Sequence, residues 1–116
     1  MGELPPQVQN MVAQLQQLQQ QLQLVVTQKA QLEALIKETQ DALSELEKSK
    51  EDFAYKAVGN VMVKLEKSEV IKDLKEKLET YEVRKNMLER QENKLRERLS
   101  DLQSKLQAML GRTQAG

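Results

Sequence analysis

Residues 53–66 read Phe-Ala-Tyr-Lys-Ala-Val-Gly-Asn-Val-Met-Val-Lys-Leu-Glu. Phe53, Tyr55 and Ala57 form one alternating set, and Val61, Val63 and Leu65 alternate with Met62, Lys64 and Glu66. A period of two with β-branched and aromatic enrichment is strand rhythm, and Gly59-Asn60 is a two-residue hairpin turn. An isolated two-stranded hairpin buries too little apolar area to offset the entropy of ordering it, and its edges stay open to pairing. The chain supplies no other strand. Partners for Phe53, Tyr55, Val58, Gly59, Asn60, Val61, Met62, Val63 and Leu65 are therefore expected on other subunits, which makes the hairpin an oligomerisation element. A hairpin folded back on its own helices is the alternative, at the cost of unpaired edges.

On both sides of this stretch the rhythm changes. Apolar residues fall at spacings alternating between three and four along Val8, Met11, Leu15, Leu18, Leu22, Val25, Lys29, Leu32, Ile36, Thr39, Leu43 and Leu46, and ten of these twelve positions are apolar. Beyond the hairpin the pattern returns as Ile71, Leu74, Leu78, Tyr81, Lys85, Leu88, Glu92, Leu95, Leu99, Leu102, Leu106 and Met109, again ten of twelve. Six heptads on each side specify a left-handed coiled coil. Between Pro6 and Gly111 the only breaker is Gly59, so two long uninterrupted helices are expected around one central break; Gly2 and Gly116 are the remaining glycines. Pro5-Pro6 suits the start of a first helix over 7–48. Ser68 can cap a second over 69–110, with Glu69 and Asp73 in its first turn and Gly111 as its stop.

The two seams complement each other. If the chain folds back at its midpoint, residue i faces residue 117 minus i, so Val8 meets Met109, Leu18 meets Leu99 and Leu46 meets Ile71. Every a position then meets a d position, as an antiparallel two-helix hairpin requires. The expected fold is mainly α: a long antiparallel two-helix coiled coil with a single central β-hairpin, one domain over residues 1–116. Three faults fall in succession, with Glu92 opposite Val25, Lys29 opposite Leu88 and Lys85 opposite Leu32. Lys29 and Glu92 occupy neighbouring layers and can pair, although long amphipathic side chains more commonly lean out to solvent, which is the expectation adopted for all three.

Composition narrows the function. The chain has 116 residues, with 18 basic against 18 acidic side chains, no His, no Cys and no Trp. Thiolate and imidazole metal ligands, the commonest general base and the disulfide staple are missing together, and no Ser has a His partner, so neither an enzyme nor a cofactor site is expected. Zero net charge removes the cationic footprint that nucleic-acid binding uses, and Arg84 to Arg98 is interrupted by Glu89, Glu92 and Glu97. Residues 4 to 28 are uncharged, yet 11 of the 25 residues from Gln7 to Gln31 are Gln, which excludes a membrane span. A soluble cytoplasmic protein is expected.

With these features in place, the stretch Tyr55-Lys56-Ala57-Val58-Gly59-Asn60-Val61-Met62-Val63-Lys64 between two heptad helices resembles the prefoldin beta class, over almost the whole chain. That family commonly has Pro after the Gly, where this chain has Asn60. The short tails and Gln-rich first helix resemble the archaeal form. The resemblance implies a hexamer of two alpha-class and four beta-class subunits. Its hairpins would join in an intersubunit β-barrel and its coiled coils would carry the chain termini at their tips. It also implies an ATP-independent holdase that captures unfolded proteins and passes them to a group II chaperonin; no G-x-x-x-x-G-K-[ST] loop is present.

Capture can be framed physically. Leu4, Val8, Met11, Leu106 and Met109 occupy the terminal seam, with Val12 and Leu110 beside it. Helix ends fray, and apolar groups exposed there bury against another chain at about 25 cal/mol per Å2. A Leu and Met stripe at this spacing is by itself ordinary seam. The competing function is a passive coiled-coil tether or scaffold, which has no use for the central hairpin.

Overall fold

The computed structural model describes residues 4–115, with side chains through Arg112. Gly2 and Gly116, and with them the extreme ends of the 1–116 span, lie outside the described residues. Helix α1 runs Pro6–Lys48, strand β1 Phe53–Val58, strand β2 Val61–Glu66 and helix α2 Lys67–Ala115. The helices have 43 and 49 residues, about 65 and 73 Å at the α-helical rise.

Helix α1 opens as its prolines dictate. Pro6 takes the first helical position, where a missing N–H costs nothing, and the Pro5 carbonyl accepts the first helical hydrogen bond from Gln9 N–H at 3.0 Å. At the other end Lys67 Nζ donates to the Ser49 carbonyl at 2.6 Å, placing a cation on carbonyls the helix leaves unpaired.

Helix α2 departs from expectation at both ends. It begins at Lys67, directly after β2, so Ser68 lies inside its first turn rather than capping it, and Asp73 lies beyond that turn. The cause lies across the hairpin: Lys67 N–H donates to the Asp52 carbonyl at 3.0 Å, carrying the sheet ladder one pair past Phe53–Glu66 and passing straight into helix. The helix also continues through Gly111 to Ala115, because no Pro follows and Gly111 does not adopt a positive φ. Glycine disfavours a helix interior without forbidding it.

The hairpin has the expected span and register, with Val58 paired to Val61 and Phe53 to Glu66. Gly59 has φ 59° and, among the described residues, no non-glycine residue has a positive φ. Positive φ at the first central residue alone is the type II′ pattern, whose twist suits a two-residue hairpin.

The chain forms two compact units, Met1–Lys29 with Met87–Gly116, and Ala30–Asn86. In both, every seam position from Val8 to Leu46 and from Ile71 to Met109 is buried or half-buried, while the intervening Gln, Glu and Lys positions are mostly exposed. Val8 and Val25 anchor the first unit; Leu32, Ile36 and Leu43 anchor the second. Thr39, a polar seam position, is buried with its hydroxyl donating to the Leu35 carbonyl at 2.7 Å, which satisfies it without disturbing the layer. In the first unit one trough is flanked by Gln21 of α1 and Arg98 of α2, and its continuation by Gln28 and Gln91. Those flanking pairs arise when Leu18 faces Leu99 and Leu22 faces Leu95, so the antiparallel register is the predicted one there.

Candidate functional site

Cross-strand partners share a face of the hairpin. One face carries Phe53, Tyr55, Met62 and Lys64, the other Ala54, Lys56, Val58, Val61, Val63 and Leu65. On the first, the Phe53 and Tyr55 rings meet edge to face with centroids 5.7 Å apart, and Lys64 Nζ stands 4.0 Å from the Phe53 centroid. Such contacts add about 0.5–1.5 kcal/mol each to the pairing. On the second face the base is covered, Ala54 buried and Leu65 half-buried, whereas Val58 and Val61 near the turn are bare. Val61 is 62% and Met62 63% exposed, values that a folded core would not leave on large apolar side chains. Among the described residues the sheet has two strands only, so each retains one unpaired edge.

The hairpin is held to α2 by charge. Lys56 Nζ lies 3.5 Å from Asp73 Oδ2 and Lys77 Nζ 3.3 Å from the same oxygen. Lys77, through its hydrogen bond, and then Lys56 hold the Asp73 carboxyl below its ordinary value, against a smaller opposing effect of burial.

The terminal seam is more closed than a permanently open sticky end would be. Val8 is only 1% exposed; Met11, Val12, Leu106, Met109 and Leu110 are half-buried; Leu4 alone is exposed. The same unit contains the polar layer. Lys29 Nζ lies 2.8 Å from Glu92 Oε1, and Arg96 binds Glu92 Oε2 through both Nη2 at 2.8 Å and Nε at 2.9 Å. The expectation that these side chains turn out to solvent is therefore wrong for Glu92, which is 12% exposed, and for Lys29 at 24%. A carboxylate clasped by two cations loses less by burial than by releasing them. Lys29 first, then Arg96, lower the Glu92 carboxyl below its usual range while burial opposes them. Arg96 was legible as the i+4 partner of Glu92; Lys67 on Ser49 and Lys56 on Asp73 were not, because only the folded chain brings them together.

No group of His, Cys, Asp or Glu among the described residues could hold a metal ion, and no described helix is long and apolar enough to cross a membrane. Two long seam-bearing helices around one antiparallel hairpin, with Tyr55, Val58, Val61, Met62 and Val63 exposed on that hairpin, define a helical-hairpin subunit that carries an open-edged sheet. The family model described as a prefoldin subunit matches residues 9–113, and the chain belongs to the prefoldin family. Prefoldin subunit beta of Archaeoglobus fulgidus is 62% identical over 117 residues, covering 100% of both chains. Prefoldin subunit beta of Pyrococcus furiosus is 48% identical over the same coverage. The crystal structure of the prefoldin beta subunit from Thermococcus strain KS-1 superposes with a TM-score of 0.86 at 49% identity, covering 95% of this chain and 97% of that one. The family is one of chaperones that are not enzymes.

Proposed function

We propose that this chain is a beta-class subunit acting as an ATP-independent holdase, as a single prefoldin-like domain over residues 1–116. It assembles with an alpha-class partner as two alpha and four beta chains in the cytoplasm, holds unfolded proteins at its terminal layers and passes them to a group II chaperonin. The observation that carries this reading is a division of labour. The two chain ends share one compact unit, and the open-edged sheet with Tyr55, Val58, Val61 and Met62 exposed belongs to the other. Open edges and bare apolar side chains near the turn are what a β-barrel shared between subunits would cover.

Because Val8 is enclosed, capture requires the terminal layers to open, releasing Val8, Met11, Val12, Leu106, Met109 and Leu110 to join Leu4. Each opened site binds weakly, and several arms around one client raise the effective concentration. Two measurements test the proposal. Native mass spectrometry of the chain with an alpha-class subunit should show the four-plus-two complex. Removing residues 1–10 and 107–116 should abolish suppression of client aggregation while that complex persists. Full activity of the truncated complex would refute the assignment to the chain ends.

A further inference from the structure

One flank of the first unit carries a continuous trough between α1 and α2. Its floor is apolar, formed by Leu18 and Leu102 and, further along, by Val25 and Leu95; Leu24, 59% exposed, stands on its rim. The α1 wall is Gln14, Gln17, Gln21 and Gln28, uncharged amides that both donate and accept hydrogen bonds. The α2 wall presents Lys94, Arg98 and Lys105, with Asp101 as the one carboxylate. None of these three cations takes part in an ion pair among the described residues, whereas Arg96 is consumed by Glu92.

Resting on the holdase reading, we infer that this trough binds an extended segment of a non-native chain in which acidic side chains are interspersed with apolar ones. The apolar floor takes the hydrophobic side chains, and the glutamines can satisfy main-chain N–H and C=O groups that an extended strand leaves unpaired. The unpaired cations select carboxylates. Lys94 and Arg98 are one helical turn apart, about 6 Å, and Arg98 and Lys105 about 10 Å apart at the helical rise. An extended chain advances about 3.3 Å per residue and presents alternate side chains on one face, so carboxylates two residues apart match the spacing of Lys94 and Arg98. Duplex or single-stranded nucleic acid fits less well, since Glu97 and Asp101 interrupt the basic residues and the floor is apolar.

The test uses the assembled complex and three labelled, unstructured peptides of equal length. These carry Leu and Val at alternate positions separated by Glu, by Gln or by Lys, and binding is read by fluorescence anisotropy. The Glu peptide should bind about five- to ten-fold tighter than the Gln peptide at low salt, from a few exposed ion pairs, and the margin should shrink as salt screens them. The triple substitution Lys94→Gln, Arg98→Gln, Lys105→Gln should erase the margin, leaving Gln-peptide binding and the assembled mass unchanged. The triple charge reversal to Glu should transfer the preference to the Lys peptide. A Glu-peptide preference that survives both variants overturns the trough assignment, as does a variant effect seen only on single-stranded DNA. If the unaltered complex binds no peptide and suppresses no aggregation, the holdase reading falls with it. If it suppresses aggregation yet shows no acidic preference, only the trough falls.

Discussion

Lys29 Nζ and Glu92 Oε1 meet at 2.8 Å inside a seam whose other positions are almost all apolar, and Arg96 grips the second carboxylate oxygen from the same helix. One charge from α1 and one from α2 thereby fix the register of the first unit. Removing either partner alone strands a largely enclosed charge. Lys29→Met or Glu92→Gln should each cost about 1–2 kcal/mol, between an exposed and a fully buried pair. Lys29→Leu with Glu92→Leu should be neutral or stabilising and should slow hydrogen exchange at residues 25–32. Unchanged exchange in the double variant would show that the polar layer does not loosen the seam around it.

The same carboxylate gives a pH dependence of known sign. Its folded value is depressed below the ordinary 4.5 by Lys29 and then Arg96. A depressed carboxyl contributes stability that is fully present above its unfolded value and is lost as pH falls through the folded one. The stability gap between the native chain and Glu92→Gln should be constant above about pH 5 and close progressively below it. Thermal unfolding of both proteins from pH 7 to pH 3 measures this, and a gap that widens on acidification would contradict it.

The two described glycines should respond oppositely to alanine. Neither has an atom within 4 Å of where a Cβ would stand, so backbone conformation decides. Gly59 holds φ +59° in the turn, and Gly59→Ala should cost about 1–2 kcal/mol. Gly111 is helical, and Gly111→Ala should stabilise the end of α2 by about 0.5–1 kcal/mol, read as slower exchange at residues 107–112. Asn60→Pro should be tolerated: Asn60 lacks a positive φ, and its N–H lies outside the Val58–Val61 ladder pair. Calorimetric melting of the three variants is sufficient, and a stabilising Gly59→Ala would dispose of the type II′ turn.

What was legible from the residues is what periodicity controls. The three-and-four spacing from Val8 to Leu46 and from Ile71 to Met109 determines both helices and their mutual register, and the alternation around Gly59-Asn60 determines the hairpin and its pairs. The continuation of α2 through Gly111 is a matter of local backbone conformation, whereas other departures depend on contacts between residues distant in sequence. Lys67 starts α2 early because its N–H meets Asp52, fifteen residues away, and Lys29 turns inward because Glu92 is there to receive it. Val8 departs as well: fraying leads one to expect a partly open terminal position, and in the folded chain it is only 1% exposed.

That burial leads to the sharpest test of capture. In the antiparallel register Val8 faces Met109, and the native chain has no Cys, so Val8→Cys with Met109→Cys introduces the only thiols. Bridging them, directly or with a short bifunctional linker, ties α1 to α2 in the last complete layer and stops the terminal seam from opening without removing any other apolar side chain. If clients bind to side chains released by opening, the bridged complex should lose most of its suppression of aggregation and recover it on reduction of the disulfide, while its assembled mass and helical content stay constant. If clients bind instead to groups already exposed, such as Leu4 or the rim residue Leu24, bridging should leave activity intact. Undiminished suppression by the fully bridged complex would therefore reject opening of the seam as the capture step.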